Sequence, residues 1–123
     1  MIDPTGTFDD KKFGKLAFEN HKKFIAAKPF PHIFFDNFLD EKLASSLSDN
    51  FPDYDDKISW IARNTENIKK KYQQDDKELP KTFRLMLREF NSKEFLLFLE
   101  ALTGVEYLIP DPYFINGGIH MSK

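Results

Sequence analysis

The chain has 123 residues, of which 41% are hydrophobic and 31% charged, and its formal net charge is −2. This length fits one domain, residues 1–123, and the composition is that of an ordinary soluble globular protein rather than a disordered or a membrane protein. A charge so close to neutral provides no overall attraction to nucleic acid or to anionic membranes, so we predict neither as a partner.

Redox and targeting features point to an intracellular setting. The sequence contains no cysteine, which excludes disulfides and thiolate chemistry. The N-terminus lacks the basic and then apolar order of a signal peptide, and no apolar run approaches membrane-spanning length. We therefore expect a cytoplasmic protein.

The first predicted element is a helix that begins at Asp9 or Asp10. Its apolar residues fall on one face and its lysines elsewhere, a pattern typical of a helix that packs on one side. The apolar residues are Phe13, Leu16, Ala17 and Phe24, and the lysines are Lys11, Lys12, Lys15, Lys22 and Lys23. The helix stops before Pro29, because proline disfavours helix in the residue that precedes it.

A strand and a second helix are predicted next. The segment His32-Ile33-Phe34-Phe35 is apolar on both faces, which predicts a strand that is covered on both sides. Asp40 is placed to cap the second helix, in which Leu43 and Leu47 lie four residues apart. This helix ends near Asn50.

The middle of the chain carries weaker signals. Four of the five residues 53–57 are charged, which predicts a surface turn. The alternating apolar and polar residues of 57–63, which include Trp60, predict a half-buried strand. Residues 64–78 are mostly polar and are interpreted as either an exposed loop or a weak helix.

Two more helices are predicted in the second half. The first starts at Leu79-Pro80, and a buried stripe with helical spacing follows at Phe83, Met86, Leu87 and Phe90. Asn91 is predicted to cap the second helix, with Glu94 completing a capping box. The body of that helix, residues 95–102, is apolar nearly all round and should be deeply buried, and Thr103-Gly104 ends it.

The closing stretch, Leu108 to Lys123, is predicted to be extended and to finish in a short strand. Pro110 and Pro112 disfavour helix, and Gly117-Gly118 indicates a bend or a close backbone approach before the strand. This strand has no hairpin partner after it, so an earlier strand must pair with it or its edge stays open. Helices early and strands late predict an α+β fold.

The residues that could carry chemistry form no known motif. His21, His32 and His120 are the candidates for metal or acid–base chemistry. We interpret His32 as a hydrogen-bonded core or edge residue and His21 as a solvated residue on the flank of its helix. Gly117-Gly118 lacks the following helix that a phosphate cradle needs. We therefore predict no catalytic, cofactor-binding or metal-binding residue in this chain.

Several short motifs nevertheless occur in a specific order between about Phe24 and the end of the chain. They are Pro29-Phe30-Pro31-His32-Ile33, Asp36-Asn37-Phe38-Leu39, the Trp60 segment, Leu79-Pro80, Phe90-Asn91-Ser92-Lys93-Glu94-Phe95-Leu96, Leu99-Glu100-Ala101-Leu102-Thr103-Gly104, Ile109-Pro110-Asp111-Pro112 and Gly117-Gly118-Ile119-His120. Together they resemble the N-terminal half of the iron(II)- and 2-oxoglutarate-dependent dioxygenases, in the prolyl-hydroxylase-like branch.

This resemblance implies a jelly roll, the double-stranded β-helix that holds Fe(II) with two histidines and one carboxylate and binds 2-oxoglutarate with a basic residue. In the family, the His-x-Asp ligand pair follows a turn shortly after the segment that here ends at Lys123. This sequence contains no His-x-Asp, and His120 matches a strand position before that turn. We therefore expect a helical support layer with the first strands of an incomplete jelly roll, in a fragment or truncated dioxygenase that is inactive alone.

Two other hypotheses belong to different classes. One is a stand-alone, non-catalytic binding or scaffolding module that has the family's support layer. The other is a small metalloprotein that brings together His21, His32 and His120. An open strand edge at the C-terminus also predicts a homodimer or a strand exchange, because unpaired edges associate readily.

Overall fold

The structure is a computed structural model that describes residues 2–53, 60–65, 68–73, 75, 77–114 and 117–122. Four helices and three strands lie within these ranges. In chain order they are α1 (Asp10–Ala26), α2 (Glu41–Asp49), β1 (Ile61–Thr65), β2 (Ile68–Gln73), α3 (Lys81–Phe90), α4 (Lys93–Thr103) and β3 (Ile119–Ser122). The predicted α+β class is confirmed.

The first two helices begin where the sequence predicts. The Asp9 carboxylate accepts a hydrogen bond from the backbone N–H of Lys12 at 2.8 Å, and the Asp40 carboxylate accepts one from Lys42 at 3.1 Å. Each bond satisfies a backbone donor that has no partner within the helix. The predicted end of α2 is also confirmed, since Asn50 is its C-terminal cap.

The start of α4 differs from the prediction by one residue. Ser92 is the cap, and its hydroxyl accepts a hydrogen bond from the backbone N–H of Phe95 at 3.2 Å. Asn91, the predicted cap, instead ends α3. The predicted end of α4 is confirmed by Gly104, whose φ of 79° lies in the left-handed region that favours glycine.

The core forms where α1 packs along α4, with α2 and α4 each contacting α3. Its buried residues are Phe8, Phe13, Ala17, Leu43, Met86, Phe98 and Leu102. Within the described chain, no strand residue belongs to this cluster. The expectation that α4 is buried nearly all round is wrong, because Leu97 is exposed and only Phe98 and Leu102 are fully buried. One face of α4 therefore packs in the core, and the opposite face is exposed to solvent.

The segment that precedes α1 packs into this core. Phe8 is only 1% exposed, and Pro4 is also buried. A hydrogen bond from the backbone N–H of Thr5 to the Asp3 carboxylate, 2.9 Å long, accompanies the turn that leads to Phe8. Hydrogen bonding from Thr5 holds the pKa of the Asp3 carboxyl below its ordinary value.

Residues 32–35 belong to no strand of the described chain. The predicted strand is therefore wrong. Ile33 and Phe35 pack against the core, whereas Phe34 is 86% exposed. The segment is covered on one side only, since it crosses the surface of the helical core without a neighbouring strand.

The three strands form one antiparallel sheet in the order β1-β2-β3. β1 and β2 form a hairpin, so the expected loop or weak helix is wrong at 64–65 and 68–73. After β2, the described residues 75 and 77–78 are exposed and lie in no helix or strand, as expected for a loop. The sequences of β1 and β2 are largely polar, and strand formation here depends on cross-strand pairing more than on intrinsic propensity. The predicted strand at 57–63 overlaps β1 only at 61–63, and residues 54–59, which include most of the predicted turn at 53–57, lie outside the described residues.

β3 confirms the strand predicted at the end of the chain. It pairs with β2, with Gln73 opposite Ile119 and Tyr72 opposite His120. The second edge of β3 faces no strand in the part of the chain that the structure describes. Among the same residues, no helix has both the length and the apolar character needed to cross a bilayer.

Candidate functional site

The stretch between α4 and β3 is described at residues 105–114 and 117–118, and it includes the first part of the closing stretch, Leu108 to Lys123, which the resemblance predicts to lie ahead of an iron site. Side chains of α4 hold its first part. The Thr103 hydroxyl accepts a hydrogen bond from the backbone N–H of Val105 at 3.1 Å, and the Glu100 carboxylate accepts one from that of Leu108 at 2.9 Å. The segment therefore follows a path that α4 determines.

Asn91 anchors the segment further along. Its side-chain oxygen accepts a hydrogen bond from the backbone N–H of Asp111 at 3.1 Å, and its side-chain N–H₂ donates to the backbone carbonyl of the same residue. The amide thus pairs with both the N–H and the C=O of one residue, as a residue of a neighbouring antiparallel strand would. The Asp111 carboxylate in turn accepts a hydrogen bond from the backbone N–H of Tyr113 at 3.0 Å.

Two aromatic residues in this segment have strained backbones. Tyr107 and Phe114 have φ values of 61° and 50°, in the left-handed region that costs a residue with a side chain about 1 to 2 kcal/mol. Such strain persists only where the surroundings hold the chain in place. The hydrogen bonds that Glu100 makes to Leu108 and that Asn91 makes to Asp111 lie between these two residues along the chain and offset this cost.

The glycine pair acts as a bend. Gly118 has a φ of 127°, and the backbone N–H of Gly117 donates to the carbonyl of Phe114 at 2.9 Å. β3 follows directly, so the predicted turn into a strand is confirmed. A phosphate cradle is not formed here, because the backbone N–H groups after the glycines belong to a strand and not to the start of a helix.

The three histidines lie on different parts of the fold. The Nδ1 atom of His21 is 2.8 Å from the Leu102 carbonyl oxygen, between α1 and α4. That of His32 is 2.8 Å from the Phe30 carbonyl oxygen. His120, on β3, stacks on the Tyr72 ring with centroids 5.7 Å apart.

These positions settle the interpretation of each histidine. His21 is half-buried and hydrogen-bonded across two helices, so its interpretation as a solvated residue is wrong. His32 is hydrogen-bonded, as predicted, but it lies in no described strand and outside the core cluster, whereas His120 is a strand residue, as predicted. Across the described ranges, no group of three or more His, Cys, Asp or Glu side chains is placed to hold a metal ion.

A shallow cleft of about 210 Å³ lies between α4 and the start of the closing stretch. Its lining residues are Lys93, Leu96, Leu97, Glu100, Leu108 and Pro110. Glu100 already accepts the hydrogen bond from Leu108. The cleft is thus part of the contact that positions the closing segment.

The side chains that position this segment were not found from the sequence. Asn91 and Glu100 act on backbone groups 20 and eight residues away, respectively. One feature of the sequence could have indicated the role of Asn91. Asn91 and Ser92 are both residues that commonly cap a helix, whereas the start of α4 needs only one cap. An unused capping residue beside a helix end indicates another partner for its amide.

Comparisons with family models, with curated proteins and with solved structures find no match for this chain.

Proposed function

We propose that this chain is the N-terminal part of an iron(II)- and 2-oxoglutarate-dependent dioxygenase of the prolyl-hydroxylase-like branch. In this proposal α1 to α4 form the support layer, and the three-stranded sheet is the beginning of the jelly roll. The observation that carries it is the position of β3, which follows the Gly117-Gly118 bend and is an edge strand of the described sheet. The motif that precedes the family's iron ligands thus lies where further strands could be added.

The described residues do not fit the iron site of that family. A facial triad needs two imidazoles and a carboxylate around one point. His21 and His32 each have Nδ1 engaged with a backbone carbonyl on a separate segment, and His120 lies on the sheet. In our proposal these residues supply no step of oxygen activation, and the role of the chain is to support the sheet.

We expect the isolated chain to release no succinate above background when incubated with Fe(II), 2-oxoglutarate and oxygen. The reason is that catalysis through a metal requires ligands preorganised around it. Succinate can be measured by coupled spectrophotometry, with an active 2-oxoglutarate dioxygenase as the positive control. Succinate release that a chelator abolishes would contradict this expectation.

The alternative is a stand-alone binding or scaffolding module. The helical core favours it, because the buried cluster is complete without any described strand residue. The coding sequence after Lys123 distinguishes the two proposals. A His-x-Asp within a few dozen codons supports the dioxygenase, and a stop codon supports the module.

We also propose that two copies associate through β3. The outer edge of β3 presents backbone donors and acceptors to no described strand, and Met121 on this strand is half-buried. Light scattering should therefore give the mass of a dimer. The substitution Met121→Lys places a positive charge on this edge strand. It should shift the protein towards the monomer, because charged edge strands resist pairing.

Ala62→Lys is the matched control, since Ala62 is exposed on β1 at the opposite edge of the same sheet. It should leave the dimer intact. A monomeric mass for the unaltered chain at high concentration would refute this mode of association. The proposal further includes a cytoplasmic location and no nucleic-acid partner, on the basis of the cysteine-free sequence and the net charge of −2.

A further inference from the structure

The face of α1 that points away from the core carries an unusual row of side chains. We call it the basic stripe and define it as Lys11, Lys15, Phe18, Lys22 and Ile25, all of which are exposed. Their spacing of four, three, four and three residues places them along one side of a helix. The core face of the same helix carries the buried Phe13 and Ala17. Helix α1 therefore has one face that packs in the core and another, exposed face on which lysines and apolar residues are regularly spaced.

The apolar members of the stripe have no role in the core. Phe18 is 85% exposed and Ile25 is 50% exposed, although the same helix buries Phe13 in the core. The two lie seven residues apart, or two helical turns. This is the repeat at which one helix presents apolar side chains to another. An exposed phenylalanine in such a repeat is typical of a contact surface.

The charges of the stripe restrict what can cover it. Among the described residues, Lys11 and Lys22 lie within ion-pair distance of no carboxylate, and Lys15 reaches Glu19 at 3.8 Å on the flank of the helix. A second copy would bring lysines against lysines and is disfavoured. A partner with carboxylates beside its own apolar residues would match both the charge and the spacing.

The basic stripe fits a helix of a protein partner better than it fits a membrane surface. Two apolar side chains and three lysines are a small anchor for a bilayer, which needs a broad apolar face or several independent signals for stable binding. The other two lysines of α1, Lys12 and Lys23, are displaced around the helix from the stripe and would not face the same plane. A single helix, by contrast, is as narrow as the stripe.

We propose that the basic stripe of α1 docks an acidic amphipathic helix of a partner protein. Apolar residues of that helix pack against Phe18 and Ile25, and its carboxylates pair with Lys11, Lys15 and Lys22. Most of the stripe precedes Phe24, where the resemblance to dioxygenases begins. The proposal is therefore independent of the proposed function and adds a binding surface to it.

The test is a selection from a display library of helical peptides of about 20 residues, long enough to be partly helical alone, with the whole chain as bait. Enriched peptides should carry net negative charge and apolar residues seven apart. The dissociation constant of an enriched peptide is then measured by fluorescence anisotropy. Phe18→Ser and Lys22→Glu should each weaken binding by about tenfold or more, because both alter the centre of the contact.

Matched controls come from elsewhere on the surface. Phe34→Ser changes a phenylalanine that is 86% exposed, and Lys42→Glu reverses an exposed lysine on α2. Both should bind the peptide as the unaltered chain does. All four side chains are exposed, so circular dichroism should show the same helix content in each variant.

Three results would overturn the proposal. The first is a selection that enriches no peptide, or only neutral or basic ones. The second is a loss of binding in the Phe34→Ser or Lys42→Glu control that equals the loss in the stripe variants. The third is sedimentation with vesicles of about 30% phosphatidylserine that depends on Phe18 and Lys22, which would assign the stripe to an anionic lipid surface.

Discussion

Replacing Phe8 with alanine is expected to lower the free energy of unfolding by about 3 to 5 kcal/mol. Phe8 is 1% exposed, and its ring centroid lies 4.5 Å from that of Phe95, 5.1 Å from that of Phe13 and 5.4 Å from that of Phe90. Alanine would remove these ring contacts and leave a cavity between rings that come from three elements. The surrounding side chains can collapse only partly into that space.

Urea denaturation followed by circular dichroism measures this change. Phe34→Ala is the control, because the Phe34 ring is 86% exposed and its loss should change stability by less than about 0.5 kcal/mol. Equal stabilities of the two variants would mean that the segment before α1 does not contribute to the core in solution.

Replacing Asn91 with alanine is expected to cost about 1 to 3 kcal/mol, the usual penalty for leaving partly buried hydrogen-bonding groups without partners. The amide makes two hydrogen bonds to the backbone of Asp111, and both are lost in this variant. The segment that includes the strained Tyr107 and Phe114 would then lose the anchor that lies between them.

Asn50 provides a closely matched control. Both asparagines end a helix with nearly the same backbone angles, φ of −98° at Asn50 and −100° at Asn91. The Asn50 side chain donates to the nearby Ser46 carbonyl, at 2.7 Å, and is exposed. Urea denaturation should therefore show a clearly smaller loss for Asn50→Ala. Hydrogen exchange at Val105 to Tyr113 should quicken in Asn91→Ala alone, and unchanged exchange there would refute the anchoring role.

The helices were predictable because their signals are local. A cap, an apolar period of 3.6 and a stop all lie within about 20 residues, and these signals placed α1, α2 and α3 to within one or two residues. The start of α4 was misplaced by one residue, since Asn91 and Ser92 are both good caps and only the contact with Asp111 distinguishes them.

The strands were harder to predict because their partners are distant in sequence. The alternating apolar pattern at 57–63 reaches only the first three residues of β1, and β2 is mostly polar with no such pattern. β2 owes its place in the sheet to β1 on one side and to β3 on the other. Residues 32–35 show the converse. They have the composition of a buried strand, yet they find no strand to pair with among the described residues and cover the helical core instead.

The candidate site was predictable in outline. The glycine bend, the strand after it and the strand position of His120 follow from local sequence. The hydrogen bonds of Glu100 and Asn91 to the closing segment, and that of His21 to Leu102, join residues eight, 20 and 81 positions apart. No local pattern encodes such contacts, because they exist only once α1, α3 and α4 have packed.

The composition of the core implies an order of assembly. Every buried residue of the core cluster comes from a helix or from the segment that precedes α1. Burial of these side chains therefore does not require the strands to pair. The packed helices can thus form first and then position the closing stretch. The sheet is therefore the part of the molecule in which strands can be added or exchanged without disturbing the core.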